Sequence, residues 1–186
     1  YHRERCVQCG ECIEDCFSGA LSMAGKSMTG DEVMEEILKD ETYYRHSKGG
    51  ATFSGGEPVL QKDFLLTLLK RCKVHGIHTV IETAGNYKWS HLEELLPCTD
   101  LILYDLKLID PGLHRRYVGN RGDRVRDNLL KLADAGHPVV VRTPVVGGVN
   151  DTEKEISGIA RFIKDIETLE YYALLPYHEL GDAKRP

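Results

Sequence analysis

The sequence predicts an α/β fold, a partial (incomplete) TIM-type barrel of about five βα units with a small N-terminal ferredoxin-like cysteine segment. Three observations predict it. Short apolar runs alternate with helical patterns over residues 29–186, and such alternation means parallel strands joined by right-handed crossovers. Polar residues gather just past the C-terminal end of each run, at Glu57, Glu82 with Thr83, Asp105 with Lys107, Arg142 with Thr143, and His178. Barrels build active sites in this way, from successive strand ends. Nothing reads GxGxxG after the opening strand, which argues against an open dinucleotide-binding sheet. About five units are too few to close an ordinary eight-unit barrel, so one side is expected to stay open.

Residues 1–28 form the cysteine segment and 29–186 the barrel part. Thr29 and Glu32 have capping-box spacing, and Val33, Met34, Ile37 and Leu38 follow at helical intervals, predicting a helix that ends near Lys39. Ala51 to Phe53 leads into Ser54-Gly55-Gly56-Glu57-Pro58. Phe64, Leu65, Leu68, Leu69 and Cys72 predict a helix closed by Gly76. Ile77 to Ile81 reads as a strand, followed by Glu82-Thr83-Ala84-Gly85, and Ser90 with Glu93 as the cap of a short helix through Leu96. Leu101 to Tyr104 runs into Asp105-Leu106-Lys107, its continuous apolar character suiting a strand buried on both faces. A helix from about Arg124 to Ala135 stops at Gly136, and Val139 to Val141 precede Arg142-Thr143-Pro144. Asn150 and Thr152 offer caps for a helix carrying Ile156, Ile159, Ala160 and Ile163, and Tyr171 to Leu175 is the last strand.

The 186 residues carry a net charge of -5 and 41% apolar content, with no apolar stretch of transmembrane length and no basic block. Nucleic acid and membrane are therefore not expected as partners. Six cysteines, four of them at metal spacing, fit a reducing cytoplasm better than a disulfide scaffold.

Cys6, Cys9, Cys12 and Cys16 form a CxxCxxCxxxC run, a spacing suited to an iron-sulfur cluster. In two-cluster ferredoxin modules the first three cysteines hold one cluster and the fourth ligates the other. A four-cysteine zinc site and thiols without metal are the alternatives. Phe17 to Leu21 lacks the proline that usually follows such a run. Only Cys72 and Cys98 stand elsewhere, and both read as packing residues.

The other motifs each have a plainer reading. Gly55 and Gly56 would let backbone N–H groups approach a ligand, with Glu57 accepting from a cationic amine, or they form a tight turn. Asp105 and Lys107 could anchor hydroxyls or a carboxylate, or pair with each other at the rim. Arg142 follows three valines on a buried strand and must meet an anion, either a ligand or Glu57. His178 could contact a heterocycle or face solvent, and Tyr43-Tyr44-Arg45-His46 could meet a partner or cover the core.

Together these segments resemble the radical S-adenosylmethionine enzymes, specifically glycyl-radical-enzyme activases related to pyruvate formate-lyase-activating enzyme. The likeness rests on the cysteine quartet, Tyr43-Tyr44-Arg45 before Gly49-Gly50, Ser54 to Pro58, Glu82 to Gly85, Tyr104 to Lys107, Arg142-Thr143-Pro144, Gly147 to Asn150, and Leu175-Pro176-Tyr177-His178. The resemblance implies a [4Fe-4S] cluster that donates an electron to S-adenosylmethionine, giving a 5'-deoxyadenosyl radical that takes a hydrogen from a glycine of the partner enzyme. It implies that Gly55 and Gly56 hold the methionine end and that Glu57 shapes that pocket. Asp105 and Lys107 would lie near sulfonium and ribose, Arg142 would support the site, and His178 would contact the adenosyl portion. Glu82, beside Thr83, would stand at an acidic position tied to a cation, although it is longer than the aspartate expected. Cys6, Cys9, Cys12 and Cys16 would belong to an auxiliary ferredoxin insert. A glycyl radical enzyme and a reduced flavodoxin or ferredoxin are the implied partners.

One departure stands out: the chain contains no CxxxCxxC, the spacing that holds the family's catalytic cluster. The expectation is that this loop and the first βα unit precede Tyr1 in a longer parent. The present chain would then contain no catalytic residue and be inactive, with an exposed apolar edge that favours weak stability or self-association. An iron-sulfur electron carrier or a non-catalytic binding domain is the alternative function.

Overall fold

The computed structural model describes residues 3–7, 9–23 and 25–177. Five strands, β1 (Gly50–Phe53), β2 (His78–Thr83), β3 (Leu101–Asp105), β4 (Val139–Val145) and β5 (Leu169–Pro176), form one parallel sheet in the order β1-β2-β3-β4-β5. Strand order that follows chain order, without reversal, is the arrangement of a barrel wall, and the sheet is a partial barrel as the sequence predicts. The helices are α1 (Glu11–Glu14), α2 (Gly30–Leu38), α3 (Glu41–Ser47), α4 (Lys62–Val74), α5 (Trp89–Glu93), α6 (Pro111–Val118), α7 (Asp123–Asp134) and α8 (Glu153–Ile163).

Strand periodicity decides which side chains reach the site. On β2, Thr79, Ile81 and Thr83 are buried toward the helices, while Val80 and Glu82 take the other face. The same alternation puts Ile102 and Tyr104 outward on β3 and Leu101, Leu103 and Asp105 on the inner face. On β4, Val139, Val141 and Thr143 point outward, leaving Val140 and Arg142 within. Registry then aligns the inner rows, with Asp105 opposite Arg142 and Glu82 opposite Leu103.

Local chemistry sets the helix ends. The Thr29–Glu32 capping box forms: the Glu32 backbone N–H donates to Thr29 Oγ1 at 3.3 Å, and the Thr29 N–H donates to Glu32 Oε2 at 2.7 Å. Gly76 and Gly136 take left-handed conformations after α4 and α7. Several sequence expectations change. Ser90 lies inside α5, whose N-cap is Lys88 without a side-chain cap bond, and a separate 3-10 turn covers Leu96–Cys98. Glu82 and Thr83 belong to β2 rather than following it. Two further helices, α3 and α6, interrupt segments that carry little apolar periodicity. Phe64 is partly exposed on α4 and lies outside the core. In α3, Tyr43 faces solvent while Tyr44 packs on the second core, so Tyr44 takes the core-covering role.

The main core joins Leu65 and Leu69 of α4, Ile81, Ile102, Tyr104 and Val141 of the sheet, Leu129 and Leu132 of α7, and Ile159 and Ile163 of α8. A smaller cluster of Met34, Ala51, Leu68, Cys72 and Ile77 seats α2 against α4 and the start of β1. Cys72 is fully buried and Cys98 packs against the main core, both as packing residues. Among the described residues no helix is long and apolar enough to cross a membrane.

His137, just before β4, is buried, and its Nε2 has no hydrogen-bond partner among the described residues. Burial pulls its pKa below the ordinary value of 6.5, and the carboxylate of Asp100 opposes the shift only in part. The unfolded chain therefore takes up this proton first as pH falls. Stability contributed above pH 6.5 is lost as pH drops from there through the depressed folded-state value. Urea unfolding midpoints measured between pH 7.5 and pH 5 should fall more steeply for the native chain than for His137→Leu; identical slopes would refute the assignment.

Candidate functional site

The inner rows of β2, β3 and β4 end in a charged cluster. Arg142 donates from Nε and Nη2 to Asp105 Oδ1 at 3.0 and 2.7 Å, and Nη2 also lies 2.7 Å from Glu82 Oε1. The anion that Arg142 required is thus a pair of carboxylates from the neighbouring strands. Glu57 is not involved. Burial pulls the guanidinium pKa down, but the bonds to Glu82 and Asp105 more than reverse this. Lys107 Nζ stands 3.8 Å from Asp105 Oδ2 and is 41% exposed, so its ammonium is loosely held at the edge of the cluster. The result is two cationic and two anionic groups at one rim, a pattern that suits a ligand carrying both signs of charge.

Beside this cluster, the Ser54–Glu57 loop leaves β1. Gly55 has φ of 129°, a conformation that side chains disfavour, and a Cβ at either Gly55 or Gly56 would meet no atom within 4 Å. Their backbones therefore border open space. Glu57 turns back to brace β2: Thr83 Oγ1 lies 2.8 and 2.9 Å from its two carboxylate oxygens, and the Ala84 N–H donates at 3.0 Å. Burial raises the Glu57 pKa, against the opposing effects of these bonds and of Lys107.

The turn after β2 is fixed by close packing. Gly85 has φ of 74°, and a Cβ there would land on the Tyr104 hydroxyl, which is itself committed to the Val125 carbonyl at 2.6 Å. Asn128 of α7 donates from Nδ2 to the carbonyls of Gly85 and Tyr87, both at 2.9 Å. The loop bearing Lys107 is held as firmly. Thr143 Oγ1 donates to the Leu106 carbonyl at 2.6 Å, and Asn150 Nδ2 donates to the Lys107 carbonyl at 2.8 Å. Glu155, a buried acid in the first turn of α8, accepts from the Ile109 and Asp110 N–H groups at 2.9 and 3.3 Å. Asn128 and Glu155 carried no recognisable signal in the sequence, since both sit within ordinary amphipathic helices. Of the two caps expected from the sequence, Thr152 caps α8 as predicted, while Asn150 does not.

In the cysteine segment, Cys6, Cys9 and Cys12 line one cavity of about 690 Å³ with Ile13, Leu21 and Met23. Cys16 is not part of that lining; its sulfur receives the Leu21 N–H at 3.3 Å and contacts Ser18 Oγ at 3.6 Å. Ser18, followed by the Leu21 N–H, lowers the thiol pKa. Soft thiol donors on an apolar wall fit the chemistry of an iron-sulfur cluster. Among the described residues, however, no three Cys, His, Asp or Glu side chains converge closely enough to hold a metal ion.

The structure therefore gathers Glu82, Asp105, Lys107 and Arg142, sets Gly55 and Gly56 on the neighbouring loop, and uses Glu57 and Thr83 as a brace. His178 lies outside the described residues.

A parallel five-unit sheet with its polar groups at the strand ends defines the class. The model described as the Radical SAM superfamily matches residues 5–163, and the chain belongs to that superfamily. Within it, the chain belongs to the glycyl-radical-enzyme activating enzymes. It is 42% identical over 185 residues to the isethionate sulfite-lyase activating enzyme of Oleidesulfovibrio alaskensis, an alignment covering 98% of this chain and 59% of that protein. It is 37% identical, over 219 aligned positions, to the choline trimethylamine-lyase activating enzyme of the same organism, covering 99% and 71%. A solved domain of pyruvate-formate lyase-activating enzyme from Bacteroides vulgatus matches with a TM-score of 0.66 at 36% identity, covering 70% of this chain and 82% of that one. The chain spans about three fifths of the length of several of the curated relatives it matches.

Gly85→Ala should be among the most damaging small substitutions. The methyl must displace a buried tyrosine and the residue must hold a positive φ. A loss of about 2–4 kcal/mol or outright failure to fold is expected from overpacking plus strain. Gly136→Ala also carries a positive φ but meets no neighbour, so it should cost only about 1 kcal/mol. Equal costs for the two in urea unfolding would contradict the packing argument.

Proposed function

We propose that the protein to which this chain belongs binds S-adenosylmethionine at the strand-end cluster and activates a glycyl radical enzyme. One observation carries the reading: Glu82, Asp105 and Arg142 meet on the inner face, with Lys107 at their edge, beside a glycine loop that borders open space. S-adenosylmethionine, when bound and given one electron by an iron-sulfur cluster, supplies the 5'-deoxyadenosyl radical that removes a glycine α-hydrogen.

This chain's residues bind and orient. The Gly55 and Gly56 N–H groups receive the methionine carboxylate, and Glu57 holds their loop against β2 through Thr83 and Ala84. Asp105 faces the cationic sulfonium and the ribose, Lys107 supplies a movable cation, and Arg142 keeps Asp105 and Glu82 together. His178 contacts the adenosyl end. Cys6, Cys9 and Cys12 hold an auxiliary cluster, with Cys16 serving a second one. The catalytic cluster requires ligands outside these 186 residues, because no CxxxCxxC occurs within them. The isolated chain then binds the cofactor without cleaving it.

The test is anaerobic reconstitution with iron and sulfide, followed by electron paramagnetic resonance after dithionite reduction with and without S-adenosylmethionine. It compares this chain with one extended to include CxxxCxxC. A reduced-cluster signal altered by the cofactor only in the extended chain is the expected result. A signal insensitive to the cofactor in both would leave an electron carrier as the better account. Equilibrium dialysis of this chain with labelled S-adenosylmethionine should show binding that Lys107→Ala weakens by about tenfold, equivalent to ~1.4 kcal/mol, with little change in thermal stability because Lys107 is solvent-facing. Unaltered affinity would remove Lys107 from the site.

A further inference from the structure

The hydroxyl of Tyr87 is a buried polar group beside the proposed site that the site does not yet use. Tyr87 follows the Gly85 turn, is 3% exposed and belongs to the main core, yet its Oη has no hydrogen-bond partner among the described residues. Other tyrosines packed in this core are satisfied: Tyr104 donates to the Val125 carbonyl at 2.6 Å, and Tyr172 donates to Thr143 Oγ1 at 2.9 Å. An unpaired buried hydroxyl costs free energy that phenylalanine at the same position would avoid.

The surroundings of this hydroxyl give it a partner in waiting. Burial pushes the Tyr87 phenol above its ordinary pKa; the Thr83 hydroxyl opposes that shift and the Glu57 carboxylate adds to it, so both groups lie near Oη. The backbone at Tyr87 is fixed, since Asn128 Nδ2 donates to the carbonyls of Gly85 and Tyr87 at 2.9 Å. Thr83 Oγ1 carries one hydrogen and two lone pairs. The Gly85 N–H takes one lone pair at 3.0 Å, and the hydrogen is shared between the two Glu57 oxygens at 2.8 and 2.9 Å. Among the described residues no donor takes the second lone pair. On Glu57, Oε2 also accepts the Ala84 N–H at 3.0 Å, while Oε1 receives only the longer Val59 bond of 3.4 Å. Oε1 is therefore the oxygen with capacity to spare, on a half-buried carboxylate next to the glycines that border open space.

We infer that Tyr87 is a positioning residue that sets Glu57, through Thr83, to receive the amino group of the ligand, an inference that rests on the proposed binding of S-adenosylmethionine. When the ligand ammonium donates to Oε1, the Thr83 hydrogen turns wholly to Oε2, and the Tyr87 O–H donates to the free lone pair of Thr83. No proton changes owner and no covalent bond forms or breaks. The Ala84 N–H stays on Oε2, so the brace between the glycine loop and β2 is kept. A continuous chain of bonds then runs from Tyr87 through Thr83 and Glu57 to the ammonium, and bonds in such a chain polarise and strengthen one another. The hydroxyl left unpaired in the free chain is satisfied only when the ligand is bound.

The test is Tyr87→Phe, which keeps the ring in the core and removes only the hydroxyl. Urea unfolding of the free variant should give a midpoint equal to or above that of the native chain. Equilibrium dialysis should show its affinity for labelled S-adenosylmethionine reduced about fivefold, the net worth of one hydrogen bond. Competition by 5'-methylthioadenosine, which keeps the nucleoside and lacks the amino-acid end, should be unchanged. A hydroxyl with a merely structural role would move these readouts differently: a lowered midpoint, or equal losses for both ligands, overturns the inference. Equal affinity of the two chains for S-adenosylmethionine overturns it as well, and leaves the proposed function standing. Absence of S-adenosylmethionine binding by the native chain refutes the proposed binding site, and the role of Tyr87 with it.

Discussion

The guanidinium of Arg142 is the constraint on which the site depends. It is a single cation reaching Asp105 and Glu82, so it ties the ends of three adjacent strands at one point. Asp105 and Arg142 are direct partners in the β3–β4 register, while Glu82 comes from β2. Two carboxylates brought this close on a half-buried face would repel each other and resist losing solvent; the shared arginine makes the arrangement tolerable. Arginine suits this place better than lysine, because its planar fork can serve two acceptors while its charge stays fixed. Lys107, more exposed and bonded less closely, is the group in the cluster with freedom to turn toward a ligand.

Around that centre the polar groups are held by structure laid down elsewhere. Glu57 bridges from the loop after β1 to Thr83 and Ala84, Asn128 reaches from α7 to the turn after β2, and Thr143, Asn150 and Glu155 converge on the loop after β3. Each of these bonds uses a side chain to satisfy a backbone group or to brace a neighbouring strand end. A strand-end site consists largely of loops, and loops move unless their backbone groups are engaged. The helices thus contribute more than a hydrophobic backing: Asn128 and Glu155 carry the geometry of the main-chain turns from which the charged residues project.

Much of this was legible in the sequence because strand and helix periods differ. The apolar runs at 101–104 and 139–141 and the helical spacings of α4, α7 and α8 were visible as such, and the parallel, chain-ordered sheet followed. Glu82, Asp105 and Arg142 could be recognised as strand-end groups, yet their pairing could not, since it depends on register between strands. Arg142 illustrates the difference: its need for an anion follows from the valines before it, while the choice of Asp105 and Glu82 over Glu57 follows from the sheet. The helices α3 and α6 escaped notice for another reason. Glu41–Ser47 buries no residue, and Pro111–Val118 buries only His114, so neither shows an apolar stripe. Asp110 does cap α6, accepting from Gly112 and Leu113, and that signal together with Pro111 at the first turn was available in the sequence.

The cysteine segment obeys a different energetic logic from the barrel. Its α-helix, α1, spans Glu11–Glu14, starts from a left-handed Gly10 without a side-chain cap, and buries no residue. Phe17, Val7 and Met23 are all mostly exposed, so burial of apolar surface contributes little to its order. In the barrel the reverse holds, with Ile81, Ile102, Leu129, Leu132 and Ile159 fully enclosed. A short segment without a core needs another source of folding free energy, and thiolate–metal bonds are the source available to a CxxCxxCxxxC run. Cys6, Cys9 and Cys12 line one cavity, while the Cys16 sulfur receives the Leu21 N–H. On the proposed function, ligation would then both fold this segment and set the positions of its clusters, whereas the charged cluster at the strand ends is assembled by the sheet itself.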